Sequence, residues 1–348
     1  MGLHTLIIGL GRSGRELHFP VLTRARAAEY SRHLFHATPV LACDPFRVAD
    51  GPWEALRVSS PAMAAEMADP ALTVVHLCTP PAVRLELLKE LASLGYRKFI
   101  VEKPLALDEA TIDGIVAARQ RWGLDVVVVA PWLVSTLTRR IRELVATGRL
   151  GAPREIRLLQ SKPRFKRTLA YPHERESAFD IEIPHAIALV LALAGSARVT
   201  GAGTSDMSID GVVVLRMGGA WLTLEHDAGV QTDIRSDLTA MMRERRITVR
   251  CDRGTIVGHY PVSAADDAAQ LTTTVGDHVT RAVFRSDDLT TVIVQAYERF
   301  HTRVAFDFDL GVQAEVVRLL SDAKRLSAEP SAPLRAVPDT PIAQQNAS

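Results

Sequence analysis

Leu6-Ile7-Ile8-Gly9-Leu10-Gly11-Arg12-Ser13-Gly14 carries a short apolar run straight into a GxGxxG turn that opens a helical pattern. In that setting glycines permit the tight turn, let the backbone approach a pyrophosphate and allow a helix to pack closely on its strand. The helix N-terminus attracts the anion. The pattern therefore predicts a dinucleotide site built from Gly9, Gly11, Arg12, Ser13 and Gly14. Ordinary glycine turns, or a methyltransferase using the same geometry, are the competing readings of a bare GxGxxG. The second apolar run ends at Asp44, 30 residues after Gly14, where the usual fingerprint has roughly 20. The excess fits an insertion at residues 27–36. A carboxylate at Asp44 accepts from a ribose 2′-hydroxyl and repels a 2′-phosphate, which favours NAD, with NADP as the alternative if a cation such as Arg47 intervenes.

Outward from this turn the same grammar continues to about residue 130. Apolar runs at 4–9, 39–43, 73–78, 98–101 and 125–129 alternate with helical patterns such as 83–94 and 109–122. Strand-helix-strand alternation at this spacing means parallel pairing with right-handed crossovers. The expected fold class is α/β: an N-terminal Rossmann doubly wound parallel sheet over residues 1–131, then an α+β domain over 132–327 with an open, mainly antiparallel sheet. In the second part we expect a helix at 135–147, a partly alternating strand at 154–161 and a helix at 183–193. Strand-like runs at 212–215, 221–225 and 247–251 are set off by Gly-rich breaks. Asp309 is placed to cap a last helix reaching about residue 326, and residues 328–348, with four prolines, are expected to form a disordered tail.

The 348 residues, 47% of them apolar, suffice for two cores. With 41 Lys and Arg against 40 Asp and Glu, no excess charge is available for nucleic acid or an anionic membrane. No apolar stretch approaches the roughly 20 residues of a membrane span, and the N-terminus lacks a signal-peptide pattern, so a cytoplasmic protein is expected. Cys43, Cys78 and Cys251 show no CxxC spacing, and the Glu225-His226-Asp227 cluster has no convincing metal spacing, so neither disulfides nor a metal are expected.

Thr79-Pro80 and the stretch Gly95-Tyr96-Arg97-Lys98-Phe99-Ile100-Val101-Glu102-Lys103-Pro104-Leu105-Ala106 resemble the Gfo/Idh/MocA oxidoreductases, the family named for glucose-fructose oxidoreductase and inositol dehydrogenase. Ala146-Thr147-Gly148-Arg149-Leu150-Gly151, and Pro184-His185 followed by an apolar helix, are similar to the same family. The similarity spans residues 3–193 and thins afterwards. It implies an NAD(P)-dependent dehydrogenase or ketoreductase acting on CH–OH groups of sugars, aminosugars or cyclitols, often a homodimer or homotetramer packed through the second domain's sheet. It also implies that Thr79, Pro80, Glu102 and Lys103 meet the cofactor, and that Lys103 and His185 flank the substrate. Two positions depart from the family. Arg84 stands where a His usually follows the Pro, and Ile181 stands where an Asp usually precedes the His, between Asp180 and Glu182.

Lys103 and His185 make chemical sense without the family, because alcohol oxidation needs a base for the hydroxyl proton and ketone reduction needs an acid. Histidine starts near about 6.5, whereas lysine starts near about 10.4 and must be lowered by burial or a neighbouring positive charge. Asp180 or Glu182, the latter preferred, is expected to orient His185. In the basic run Lys162-Pro163-Arg164-Phe165-Lys166-Arg167, Arg164 is a candidate for contacting substrate hydroxyls or a phosphate, against the reading of a solvated loop. Arg243-Glu244-Arg245-Arg246 is most simply the polar start of a strand. The competing functions are an S-adenosylmethionine-dependent methyltransferase and a catalytically inactive dinucleotide-binding regulator.

Overall fold

The computed structural model describes residues 2–44, 55–170, 177–263, 267–302 and 310–328. Arg47, Asp309 and residues 329–348, which figure in the expectations above, lie outside these.

The first sheet contains β1 (His4–Ile8), β2 (Leu41–Cys43), β3 (Leu56–Arg57), β4 (Thr73–Leu77), β5 (Lys98–Val101) and β6 (Asp125–Val128). Their order is β3-β2-β1-β4-β5-β6, and all neighbours are parallel. β1 and β4 are adjacent although β2 and β3 intervene in sequence, so the strand order reverses there and opens a crevice at the carboxyl ends of the strands. The glycine turn lies on that edge.

The helix after the turn begins with a π-helical stretch, Ser13–His18, before settling into Phe19–Ala27. Pro20 accounts for the wider turn, since it has no N–H to give to the preceding turn and its ring needs room against that carbonyl. One consequence is that His18 points into the protein and is fully buried.

The second sheet contains β7 (Pro153–Ser161), β8 (Ala197–Ile209), β9 (Val212–His226), β10 (Gln231–Asp237), β11 (Glu244–Cys251), β12 (Gly254–His259), β13 (Ala268–Val275) and β14 (His278–Arg285). The order is β14-β13-β12-β11-β7-β10-β9-β8, antiparallel throughout except for β7 with β10. The expected strands at 212–215 and 221–225 are one continuous strand. Gly218 does not break it; a Cβ there would fall 2.2 Å from the Asp206 carbonyl oxygen, so the glycine admits a close backbone approach.

Helices Thr136–Ala146, Ile183–Ala194 and Leu310–Ala328 cover one face of this sheet, where Ile141, Ile187 and Leu320 share a core with Leu222, Leu224, Ile234 and Ile247. Val213, Leu215, Val279 and Val283 remain exposed. The sequence patterns give no helix between residues 251 and 309, yet Asp288–Thr302 is one. Its Val292, Ile293, Ala296 and Tyr297 pack with Ile7, Val74, Ile100 and Val127, so the chain returns to the first sheet. Leu310–Ala328 then bridges the two cores, giving Ala314 and Val317 to the first and Val316 and Leu320 to the second. Among the described residues, no helix is long and apolar enough to cross a membrane.

Candidate active site

The three motif glycines do different work. Gly9 has φ +94° and a Cβ there would meet the Cys78 backbone at 2.8 Å, so it serves the turn and the neighbouring strand. A Cβ on Gly14 would lie 2.2 Å from the Gly9 carbonyl oxygen, so Gly14 packs the helix on its strand. A Cβ on Gly11 would meet nothing within 4 Å. That open space, in front of a helix start, leaves room for a pyrophosphate to approach the backbone. At the end of β2, Asp44 Oδ2 accepts from the Leu10 amide at 2.7 Å, which ties the carboxylate to the turn.

Arg84, one of the two positions where the sequence departs from the family it resembles, is 2% exposed and acts as a buried clasp. Its Nε and Nη2 donate to the Thr79 carbonyl at 3.1 and 2.8 Å, and its Nη1 donates to the carbonyls of Glu102 and Pro104. The loops after β4 and β5, which carry Thr79-Pro80 and Glu102-Lys103-Pro104, are thereby held together by one guanidinium, whose fork of donors suits several carbonyls at once.

Lys103 reaches across to the second domain, where its Nζ donates to the carbonyl of Ile181. Ile181 closes the short helix Ala178–Ile181, and Ile183–Ala194 begins two residues later, with Glu182 as its N-cap residue and His185 in its first turn. Asp180 is committed elsewhere: Oδ2 accepts from the Ser177 amide at 3.0 Å and Oδ1 from Lys324 Nζ at 2.6 Å. Glu182 and, more weakly, Glu102 are the acids whose charge reaches His185, and Lys162 Nζ lies 3.4 Å from Glu182 Oε1. Burial would raise the Glu182 carboxyl, but the charges of Lys103 and Lys162 outweigh it and hold the group at about 2. Burial, helped by Lys103, pushes His185 down to about 3, so its ring is neutral at pH 7. The ring lies against Trp132 with centroids 5.6 Å apart, and Trp132 stacks on Tyr260 at 4.9 Å.

A buried hydrogen-bonded chain that no sequence signal announced ends at Glu102. Thr5 Oγ1 and Tyr297 OH are 2.6 Å apart, Tyr297 OH and His76 Nε2 3.1 Å, His76 Nδ1 and His18 Nδ1 2.8 Å, and His18 Nε2 and Glu102 Oε1 2.9 Å. Two imidazole nitrogens facing each other share one proton, which fixes the roles. Burial opposes charge on His18, but Cys78 and the Glu102 carboxylate outweigh it and raise the ring well above its usual value. Burial and the charged His18 keep His76 well below it. These directions favour the shared proton on His18, between His76 and Glu102. The only clue in the sequence is a histidine four residues after Gly14, one helical turn on.

These elements surround one cleft of about 2230 Å3. Gly9, Gly11, Arg12, Ser13, Asp44, Thr79 and Pro80 line one part of it; Glu102, Lys103, Arg164, Asp180, Glu182 and His185 line another. Gly14 packs behind the turn. Lys162, Arg243 and Arg245 also line the cleft, the last two from the segment expected to be only a polar strand start. His226 is structural, held by the Gly195 carbonyl and Thr232 Oγ1, and no group of residues suited to holding a metal occurs among the described residues.

No family model matches the chain and no curated protein matches it. Solved structures do share its architecture. KijD10, a 3-ketoreductase from Actinomadura kijaniata crystallised with NADP and TDP-benzene, superposes with a TM-score of 0.74 at 14% identity, over 94% of this chain and 98% of its own. UDP-N-acetylglucosamine 3-dehydrogenase GnnA from Acidithiobacillus ferrooxidans does so with a TM-score of 0.71 at 15% identity, over 94% and 98%. At such identities the likeness establishes a common fold.

Proposed function

We propose that this protein is an NAD(P)-dependent oxidoreductase of the Gfo/Idh/MocA type that transfers hydride between the cofactor and a hydroxyl or keto carbon of a sugar, aminosugar or cyclitol. The observation that carries the reading is the contact of Lys103 with the Ile181 carbonyl, which brings the end of β5 and the first turn bearing His185 to one place in the cleft that also contains the glycine turn. Residues 1–131 hold the cofactor, and the second sheet with its covering helices, within 132–327, binds the substrate. KijD10 and GnnA, a ketoreductase and a sugar dehydrogenase by description, support the choice of substrate class.

The residues present fit a dinucleotide: Gly11 leaves the space for phosphates, and Asp44 stands at the end of β2 where an adenosine ribose meets it. A nicotinamide held there would supply the hydride acceptor or donor for the substrate carbon. In oxidation, neutral His185 takes the substrate hydroxyl proton, and the Lys103 ammonium hydrogen-bonds the same oxygen as negative charge develops. In reduction, Lys103 and His185 act on the carbonyl oxygen in reverse. Trp132 fixes the plane of the His185 ring, and Glu182 supplies the negative charge beside it. The protein assembles as a homodimer or homotetramer through the open face of the second sheet, where Leu215 and Val283 are 67% and 68% exposed.

The test is turnover of a panel of keto-sugars and polyols with NADH and NADPH. Lys103→Met and His185→Ala are each expected to lower turnover about 10²- to 10⁴-fold with dinucleotide affinity retained. Near-normal turnover in both variants would refute the assignment, and binding of S-adenosylmethionine without NADH would replace it.

A further inference from the structure

The cleft has room for a dinucleotide and a second ligand beside it. At about 2230 Å3 it is roughly twice the upper end, about 1,000 Å3, of ordinary ligand pockets. Its second-domain wall is also unusually basic for a chain whose formal net charge is +1. The cations come from two places that the sheet brings together. Segment 162–167 leaves the end of β7, pinned to the end of β10 by the amides of Lys162 and Arg164 donating to the carbonyls of Asp237 and Leu238, at 2.9 Å each. On β11, which pairs with β7, Arg245 sits opposite Gln160, and Arg243 immediately precedes that strand.

Two of these groups are withdrawn from solvent, while Lys166, Arg167 and Arg243 lie exposed along the cleft. Arg164 is buried, and Arg245 is partly buried with its Nη1 donating to the Pro261 carbonyl at 2.7 Å. Nearby acids already face other cations: Glu182 faces Lys103 and Lys162, Asp180 pairs with Lys324, Asp287 with Arg24 and Asp267 with Arg285. Asp288 is raised to about 7 by burial, with Asp287 adding to the effect, and so carries only part of a charge. Lys166, Arg167 and Arg243 make no ion pair among the described residues, although all three line the cleft. A concave wall with this excess of guanidinium and ammonium groups complements an anion with several acceptor oxygens.

We propose that Arg164, Lys166, Arg167, Arg243 and Arg245 form a phosphate subsite, so that the substrate of the redox site is a phosphorylated sugar. The inference rests on the redox reading for the word substrate, but the subsite itself does not. The shared chemistry is a phosphate ester, which a sugar monophosphate or a nucleoside-diphosphate sugar supplies equally.

Calorimetric titration of the full chain saturated with NAD(P)H, so that the glycine turn is filled, tests this with four probes: glucose, glucose 1-phosphate, inorganic pyrophosphate and thymidine 5′-diphosphate. The phosphorylated probes are expected to bind at least tenfold more tightly than glucose. The double variant Arg167→Ala/Arg243→Ala should weaken them at least tenfold while leaving dinucleotide affinity within twofold. Tighter binding of thymidine 5′-diphosphate than of glucose 1-phosphate supports the proposal and identifies the diphosphate source; the reverse order supports it and identifies the monophosphate. Equal binding of glucose and its phosphate, or unchanged phosphate affinity in the double variant, overturns it. Loss of NAD(P)H binding with phosphate binding retained would instead count against the redox reading alone, and the Gly11→Val chain, with the turn blocked, should keep its affinity for the phosphorylated probes.

Discussion

Replacing Arg84 by methionine removes the clasp between the two loops that carry the cofactor and substrate residues. The side chain is 2% exposed and donates to three carbonyls, those of Thr79, Glu102 and Pro104. Hydrogen bonds from a charged group contribute about 1.5–3 kcal/mol each, and a buried acceptor left unmade costs about 1–3 kcal/mol. The guanidinium's own desolvation cost is recovered in the variant, and methionine refills much of its volume. The net loss should therefore be about 3–5 kcal/mol, in the range for breaking a buried charged arrangement. For a chain of this size that corresponds to a melting temperature lower by roughly 4–7 °C. Turnover should fall at least tenfold beyond any loss of folded protein, because Lys103 hangs from the loop that is released. Arg84→Lys, which keeps the charge but lacks the fork, should fall between the two. Scanning calorimetry and steady-state turnover at 20 °C measure both effects. An Arg84→Met chain that melts within 2 °C of the parent with normal turnover would show that the clasp does not hold the site.

Gly11→Val should leave the melting temperature of the cofactor-free protein within about 2 °C, since a Cβ there meets nothing, yet weaken dinucleotide binding at least a hundredfold by fluorescence titration; unchanged affinity would move the pyrophosphate elsewhere. Asp44→Ala should shift the ratio of NADPH to NADH affinity toward NADPH, and a parent that already strongly prefers NADPH would contradict the reading of Asp44. His185 is held at about 3 in the folded chain against about 6.5 when unfolded. The unfolded state therefore gains a proton first as pH falls, and stability drops from pH 6.5 downward with a slope of at most about 1.4 kcal/mol per pH unit. Urea midpoints for His185→Gln should show a shallower decline between pH 6.5 and 4.5, and an identical slope would mean the ring is not buried in its neutral form.

Much of the fold was legible because parallel strands buried on both faces read as short apolar runs, and β5 at Lys98–Val101 and the helix Glu109–Trp122 stand where the pattern puts them. The failures have local causes. The helix Asp288–Thr302 contains Thr290-Thr291-Val292-Ile293-Val294, a β-branched run with poor helix propensity. It is helical because burying Val292, Ile293, Ala296 and Tyr297 on the first sheet outweighs that preference, and no local pattern reports a partner some 200 residues away. Trp221 and Leu222 look like one apolar patch in sequence, but alternation along β9 sends Leu222 into the core and leaves Trp221 partly exposed.

The candidate site divides along a different line. Glycines, Asp44, Lys103 and His185 were legible because their chemistry is in the residue type. Ile181 was not, because the group in use there is its backbone carbonyl, which every residue possesses. The departure from an acid at that position therefore leaves the acceptor for Lys103 intact, and Glu182, one residue on, joins Glu102 in placing negative charge near His185. Arg84 follows the same logic in reverse: a histidine can offer two ring N–H groups at most, whereas this guanidinium reaches three carbonyls and braces the two loops that carry Thr79 and Lys103. Neither departure removes Lys103 or the carbonyl that receives it, which is why they weigh less against catalysis than side-chain identity alone suggests.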